Sequence, residues 1–152
     1  MAKYSLSNRI VSIEANDVSL RNAFGKVTVG GQGSMLESIS VDYKDDQWTT
    51  DTFPTGGYVH NKNLSKAGTI TIVLSQLSEN ITKFINLVNL HYTGDYQGLT
   101  VTLTDTAGGN NGAPREILTA SDCYFTRIPT QEYGRTASTD SWVLTCGEIS
   151  YS

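Results

Sequence analysis

The chain is poor in the residues that carry chemistry. Its 152 residues include two histidines, two cysteines and three prolines, and 17% are charged. His60 and His91 stand at no metal-ligand spacing from each other or from a cysteine or aspartate, so no metal motif is present. A Gly-x-Ser-x-Gly elbow is missing, which leaves a serine hydrolase without its anchor. Gly30-Gly-Gln-Gly33 has the glycines of a phosphate loop, but a strand pattern follows it and no Lys-Ser/Thr pair closes it. Asp45, Asp46 and Asp51 miss the alternate-ligand spacing of a calcium loop, and Trp48 would intrude on one. These absences point away from an enzyme and toward a protein with no cofactor and no metal.

Basic charge is scarce too. Eleven Lys and Arg against fifteen Asp and Glu give a net charge of −4 and a pI near 5.0. Arg9, Arg21, Arg115, Arg127 and Arg135 are scattered and form no patch in sequence, so there is no footprint for gripping nucleic acid. No apolar run is long enough to span a bilayer, and the first twelve residues lack the apolar core of a secretory signal. The reading is intracellular synthesis with free, buried thiols. Cys123 and Cys146 fall in different predicted strands, where a disulfide is geometrically possible but unsupported by spacing.

What the chain does have is alternation. It is 38% hydrophobic, and its abundant Thr, Ser, Gly and Tyr suit a β-rich single domain over 1–152. Its organising stretch is 66–92. The first half alternates, with Thr69, Thr71 and Val73 on one face and Ile70, Ile72 and Leu74 on the other. The second half changes to helical spacing through Ile81, Phe84, Ile85, Val88 and Tyr92, with Thr82, Lys83, Asn86 and Asn89 facing water. Ser78 serves as N-cap, Glu79 suits the positive end of the helix dipole, and Gly94 can end the helix, predicted over about 79–92.

Strands are predicted around this unit. They cover 9–15, a short piece at 18–20, the region of Val27-Thr-Val29, 37–43, 98–104, and 115–128 as one strand or two joined at a bulge. The last strand, 139–151, sets Trp142, Leu144 and Cys146 on one face and Val143, Thr145, Gly147 and Ile149 on the other. Residues 105–114 read as a turn or loop tip. Residues 44–65 show no regular period, yet hold Trp48, Phe53 and Tyr58, aromatics that need burial somewhere. A long extended loop reaching to another subunit is one place for it.

Several strands carry small hydroxyls opposite their apolar side: Ser38 and Ser40, Thr69 and Thr71, Thr100, Thr102 and Thr104. An antiparallel sheet can leave such a face wet. The face reads either as ordinary solvent surface or as the wall of a pore that passes a polyanion without holding it.

Order and spacing of motifs along nearly the whole chain resemble one family. Gly57-Tyr-Val-His-Asn-Lys-Asn-Leu-Ser-Lys-Ala-Gly-Thr-Ile-Thr-Ile-Val-Leu, followed by Ser75-Gln-Leu-Ser-Glu-Asn80, is similar to the tail tube proteins of contractile-tailed phages and related particles. The early Leu-x-Ser-Ile-x-Val-Asp strand ending at Asp42 and the closing Trp142-Val-Leu-Thr-Cys-Gly147-Glu-Ile149 fit the same order. The region of Gly30 to Gly33 and the 105–114 insertion match less well. The resemblance implies a mainly β fold, an antiparallel sandwich or split barrel with one flanking helix. It implies hexameric rings stacked into the inner tube of a contractile particle, inside a sheath and between baseplate and terminator, assembled in host cytoplasm and carried in the virion. Double-stranded DNA would pass through without specific binding. By it, Ser38, Ser40, Asp42, Thr69 and Thr71 are channel-wall candidates, and Trp48, Phe53 and Tyr58 inter-subunit candidates. A capsid-less bacteriocin tube (tailocin) and a soluble sugar-binding β-sandwich using Trp48 and Tyr58 are the alternatives.

Overall fold

Alternating sequence becomes one curled sheet with a dry side. A computed structural model describes residues 6–16, 27–30, 35–78, 80–93, 97–106, 115–130 and 132–151. A short 3-10 turn at Leu6–Asn8 leads into β1 (Arg9–Ala15) and β2 (Val27–Gly30). Then come β3 (Leu36–Tyr43), β4 (Trp48–Thr52), β5 (Tyr58–Lys62), β6 (Gly68–Ser75) and the helix α1 (Asn80–Thr93). The chain ends with β7 (Leu99–Asp105), β8 (Arg115–Phe125) and β9 (Thr139–Tyr151). Seven strands form a single antiparallel half-barrel in the order β2-β1-β7-β8-β9-β6-β3, and β4 and β5 pair apart as a hairpin. The expected mainly β split barrel with one flanking helix is the fold observed.

The inner side of the half-barrel is continuous apolar core. β1 gives Val11 and Ile13, β6 gives Ile70, Ile72 and Leu74, and β9 gives Trp142, Leu144 and Ile149, all 1% exposed or less. Helix α1 packs onto this side through Phe84 and Val88, with Ile81 and Ile85 partly covered, while Thr82, Lys83, Asn86 and Asn89 face out. Phe84 meets Trp142 and Phe125 at ring distances of 5.3 and 5.2 Å, and Phe125 meets Trp142 edge-on at 5.7 Å. Such tilted pairs add about 0.5–1.5 kcal/mol each beyond the area they bury.

Two departures from the sequence reading have clear causes. Ile149, expected beside Val143 and Thr145, is fully buried with Leu144. β8 and β9 swap faces together at Asp122, which has φ 52°, and Gly147, whose absent Cβ would stand 3.3 Å from that of Asp122. Cys146 and Ile149 are therefore both inward, three residues apart. The segment 44–65, read as lacking a period, contains a regular hairpin. Alternation cannot reveal it, because every residue of both its strands is exposed. The predicted piece at 18–20, the glycines at 31 and 33, Glu79, Gly94 and most of the 105–114 loop lie outside the described residues.

Gly68 fixes the edge of the sheet. A Cβ there would lie 2.3 Å from the Asp42 carbonyl oxygen and 2.8 Å from Ile149 Cδ1. Its bareness lets β3 close on β6, and lets the Tyr43 hydroxyl reach over to donate to the Ile149 carbonyl at 2.9 Å.

Candidate functional site: a hydroxyl-bearing sheet face and an exposed hairpin

Register decides which side chains share a face, since directly opposed residues in an antiparallel sheet point the same way. Ser40 stands opposite Thr71, Asp42 opposite Thr69 and Ser38 opposite Val73. The same rows continue onto β9, where Thr69 faces Thr145, Thr71 faces Val143 and Val73 faces Ser141. Ser38, Ser40, Asp42, Thr69 and Thr71 are thus brought together on the side away from the core. Tyr124, 40% exposed and opposite Thr145, extends that surface onto β8.

The far half of the sheet carries a matching row that the sequence reading did not assemble. Thr28, Ser12, Thr102, Thr119 and Ser150 lie on successive strands, each opposed to the next. Alternation marks each hydroxyl separately; only the register joins them into one rung across five strands. Acidic residues on this outer face include, among the described residues, Glu14, Asp42, Glu116, Asp122 and Glu148, of which Glu148 reaches Lys66 at 3.8 Å. Hydroxyls with a light acidic balance offer a phosphate backbone hydrogen-bonding groups but little cationic hold.

The hairpin stands off the sheet as a second surface. Trp48, Thr50 and Thr52 oppose Lys62, His60 and Tyr58, so these six side chains share one face of the ribbon. Thr50 Oγ1 and His60 Nδ1 are 2.9 Å apart, the rings of Tyr58 and His60 are 5.2 Å apart, and Lys62 Nζ lies 6.0 Å from the Trp48 ring centre. On the reverse face Asn61 donates to Asp51 at 2.8 Å. The tip is a tight turn in which Phe53 N–H donates to the Gly57 carbonyl and Gly56 N–H to that of Phe53, both at 2.9 Å.

Among the described residues none of the three aromatics finds full cover. Trp48 is 58% exposed, Phe53 52% and Tyr58 67%, and Leu64 at the base is 78% exposed. Two-stranded ribbons are marginal alone, and this one holds its apolar side chains in water. Beside Trp48, Lys62 and Leu64 the base of the hairpin holds a hollow of about 210 Å³. The two sheet margins are open as well: among the described residues β3 pairs only with β6, and β2 only with β1. No described group of three His, Cys, Asp or Glu side chains is placed to hold a metal ion.

Comparisons with known proteins bear on the family and the fold. The sequence model of the bacteriophage PhiTE tail tube protein family matches residues 1–152. No curated protein matches the sequence. Among solved structures, a chain of the six-fold symmetrised cryo-EM structure of the anti-feeding prophage baseplate has a similar fold. Its TM-score is 0.63 at 9% identity, covering 99% of this chain and 96% of that one. A chain of the sheath/tube terminator of the PVC extracellular contractile injection system gives 0.56 at 13% identity, with 98% and 96% covered. A chain of the PVC sheath–tube complex gives 0.54 at 13%, with 97% and 89% covered. At these identities the likeness is one of fold.

Proposed function

The chain belongs to the bacteriophage PhiTE tail tube protein family, and from that premise we propose that it stacks as hexameric rings around a channel conducting double-stranded DNA into the host. The observation that carries the reading is the pairing of a hydroxyl-bearing face with a hairpin whose aromatics stay more than half exposed among the described residues. Open margins at β2 and β3 support it, because an uncovered strand edge invites another strand and a closed ring satisfies it. The six-fold symmetry of the baseplate assembly with the similar fold is consistent with that ring number.

In this reading Ser38, Ser40, Asp42, Thr69 and Thr71 line the bore, and the opposite face of the same strands is core. Trp48, Phe53 and Tyr58 seat in a neighbouring copy. The tube is enclosed by sheath, joined to baseplate and terminator, carried in the virion and assembled in host cytoplasm. Its work is mechanical and electrostatic rather than catalytic. The wall presents hydroxyls and a few carboxylates, so DNA is neither gripped nor stalled.

Electron microscopy of the concentrated protein tests the assembly: stacked rings with a central hole are expected, and persistent monomers in the presence of the tail initiation complex would overturn it. Thr71→Lys tests the wall. Six-fold repetition places six added cations in every ring, and each phosphate contact contributes about −0.9 to the slope of log affinity against log salt. Intact tubes with slowed, salt-sensitive DNA passage are expected. Unchanged ejection kinetics would remove Thr71 from the bore.

A further inference from the structure

The two cysteines of the core face each other. Cys123 on β8 is opposed to Cys146 on β9, and their sulfurs are 3.0 Å apart. That is inside the roughly 3.5–4.0 Å at which even carbon atoms rest in contact. The backbone gives an independent reason. Thr126 N–H donates to the Val143 carbonyl directly across the ladder at 3.0 Å, which marks a hydrogen-bonded pair. Such pairs alternate, so Phe125–Leu144 is non-hydrogen-bonded, Tyr124–Thr145 hydrogen-bonded, and Cys123–Cys146 non-hydrogen-bonded again. On that kind of rung the Cα atoms stand about 4.5 Å apart and the side chains converge, within the roughly 4.4–6.8 Å a disulfide spans.

We propose that Cys123 and Cys146 are a modification site, closing to a cross-strand disulfide when the protein meets a hydroperoxide. Both are free thiols in this structure. They are 0% and 3% exposed, which keeps bulky thiols and disulfides away and favours an oxidant close to water in size. The pair is also asymmetric. The Cys123 thiol donates to Cys146 Sγ, which lowers the pKa of Cys146, while that same contact and burial hold the proton on Cys123. Cys146, the acceptor in that contact, takes the nucleophile's part in the proposed step.

Its thiolate attacks one peroxide oxygen, the O–O bond breaks, and the departing hydroxide takes up a proton to leave as water. The resulting sulfenic S–O bond is then broken by Cys123 Sγ. The S–S bond forms, and the hydroxyl leaves as a second water with the Cys123 proton. Two thiols lose two electrons, and one hydrogen peroxide becomes two waters. The link joins strands 23 positions apart in sequence, beside the point where β8 and β9 swap faces. It would be formed where a particle leaves its reducing cytoplasm, though the geometry stands without the tube reading.

The test treats the purified full chain with hydrogen peroxide, unfolds it in iodoacetamide and digests it with trypsin without reductant. Cleavage after Arg115, Arg127 and Arg135 puts Cys123 in the fragment 116–127 and Cys146 in 136–152, neither containing methionine. The expected result is one linked pair of fragments, two hydrogens lighter than their sum and carrying no alkyl group, split by dithiothreitol. A rise in Tm of about 5–10 °C that dithiothreitol reverses is expected with it. Two alkylated cysteines, or sulfinic acid on either sulfur, would overturn the proposal. Cys123→Ala should leave Cys146 over-oxidised under the same treatment; an unoxidised Cys146 in that folded variant would overturn its role as nucleophile, and the wild-type mapping decides the link by itself.

Discussion

Two parts of this chain made from similar residues behave oppositely. Trp142 lies in the sheet body, fully buried between Phe84 and Phe125, while Trp48 lies on the hairpin with more than half its surface in water. The body has a single core shared by seven strands and a helix; the hairpin has two strands and no core of its own. The body covers its own apolar side chains, whereas the hairpin leaves its aromatics in water, where the proposed tube would seat them in another copy. Stability and assembly should be separable by mutation along that division.

The sharpest test exchanges the two tryptophans' fates. Trp142→Ala empties the contact at the centre of the aromatic group, and a loss of about 3–5 kcal/mol is expected for such a truncation. Trp48→Ala removes an exposed ring, so the unassembled chain should keep its stability within about 0.5 kcal/mol. The order reverses for assembly: Trp48→Ala should abolish tubes that Trp142→Ala still forms at temperatures where it folds. Urea unfolding of the unassembled chains and electron microscopy of the concentrated ones measure both halves. Equal destabilisation by the two substitutions would erase the division.

A middle-sized effect sits where the body meets its edge. Gly68→Ala would push a Cβ to 2.3 Å from the Asp42 carbonyl, which is backbone and cannot swing aside. β3 must move from β6, and overpacking of this kind costs about 1–3 kcal/mol. Loss of amide-exchange protection confined to β3 and β6 is the expected signature. A variant with unchanged protection there would show that the edge is looser than its geometry.

The same division explains what could be read in advance. Strands β1, β3, β6, β7 and β9 were legible because one face is dry and the other wet, so each strand writes a two-residue period. Helix α1 was legible because Phe84, Ile85 and Val88 write a longer one. The hairpin wrote nothing, since Trp48, Tyr58 and Val59 are exposed alongside Thr49, Asp51 and Asn61, and both ribbon faces mix apolar with polar. Its aromatics could still be singled out as residues in need of cover. Ile149 was misplaced because a face swap at Asp122 and Gly147 needs a positive φ at a non-glycine residue, which no periodicity announces. The five-hydroxyl rung and the cysteine pair were hidden for a third reason: which strand lies beside which is a property of topology. The order β2-β1-β7-β8-β9-β6-β3 puts β6 next to β9 across more than sixty residues.

The smallest effect asks whether charge, rather than burial, secures the body. Arg9 Nη1 and Asp105 Oδ2 meet at 2.6 Å where β1 and β7 pair at their ends, with side chains 25% and 15% exposed. The bond is short and charge-assisted, and it sits partly covered at the end of the ladder, where water and salt still reach it. Asp105→Asn keeps the shape and removes the charge, so a loss of only about 0.2–1 kcal/mol is expected, or about 1–4 °C in Tm for a domain of this size. The gap between variant and parent should shrink further in 1 M salt, where the screening length falls to about 3 Å. A loss rivalling that of Trp142→Ala, or one indifferent to salt, would mean that the rim and not the aromatic centre sets the stability of the sheet, and the contrast with the hairpin would then be one of charge instead of burial.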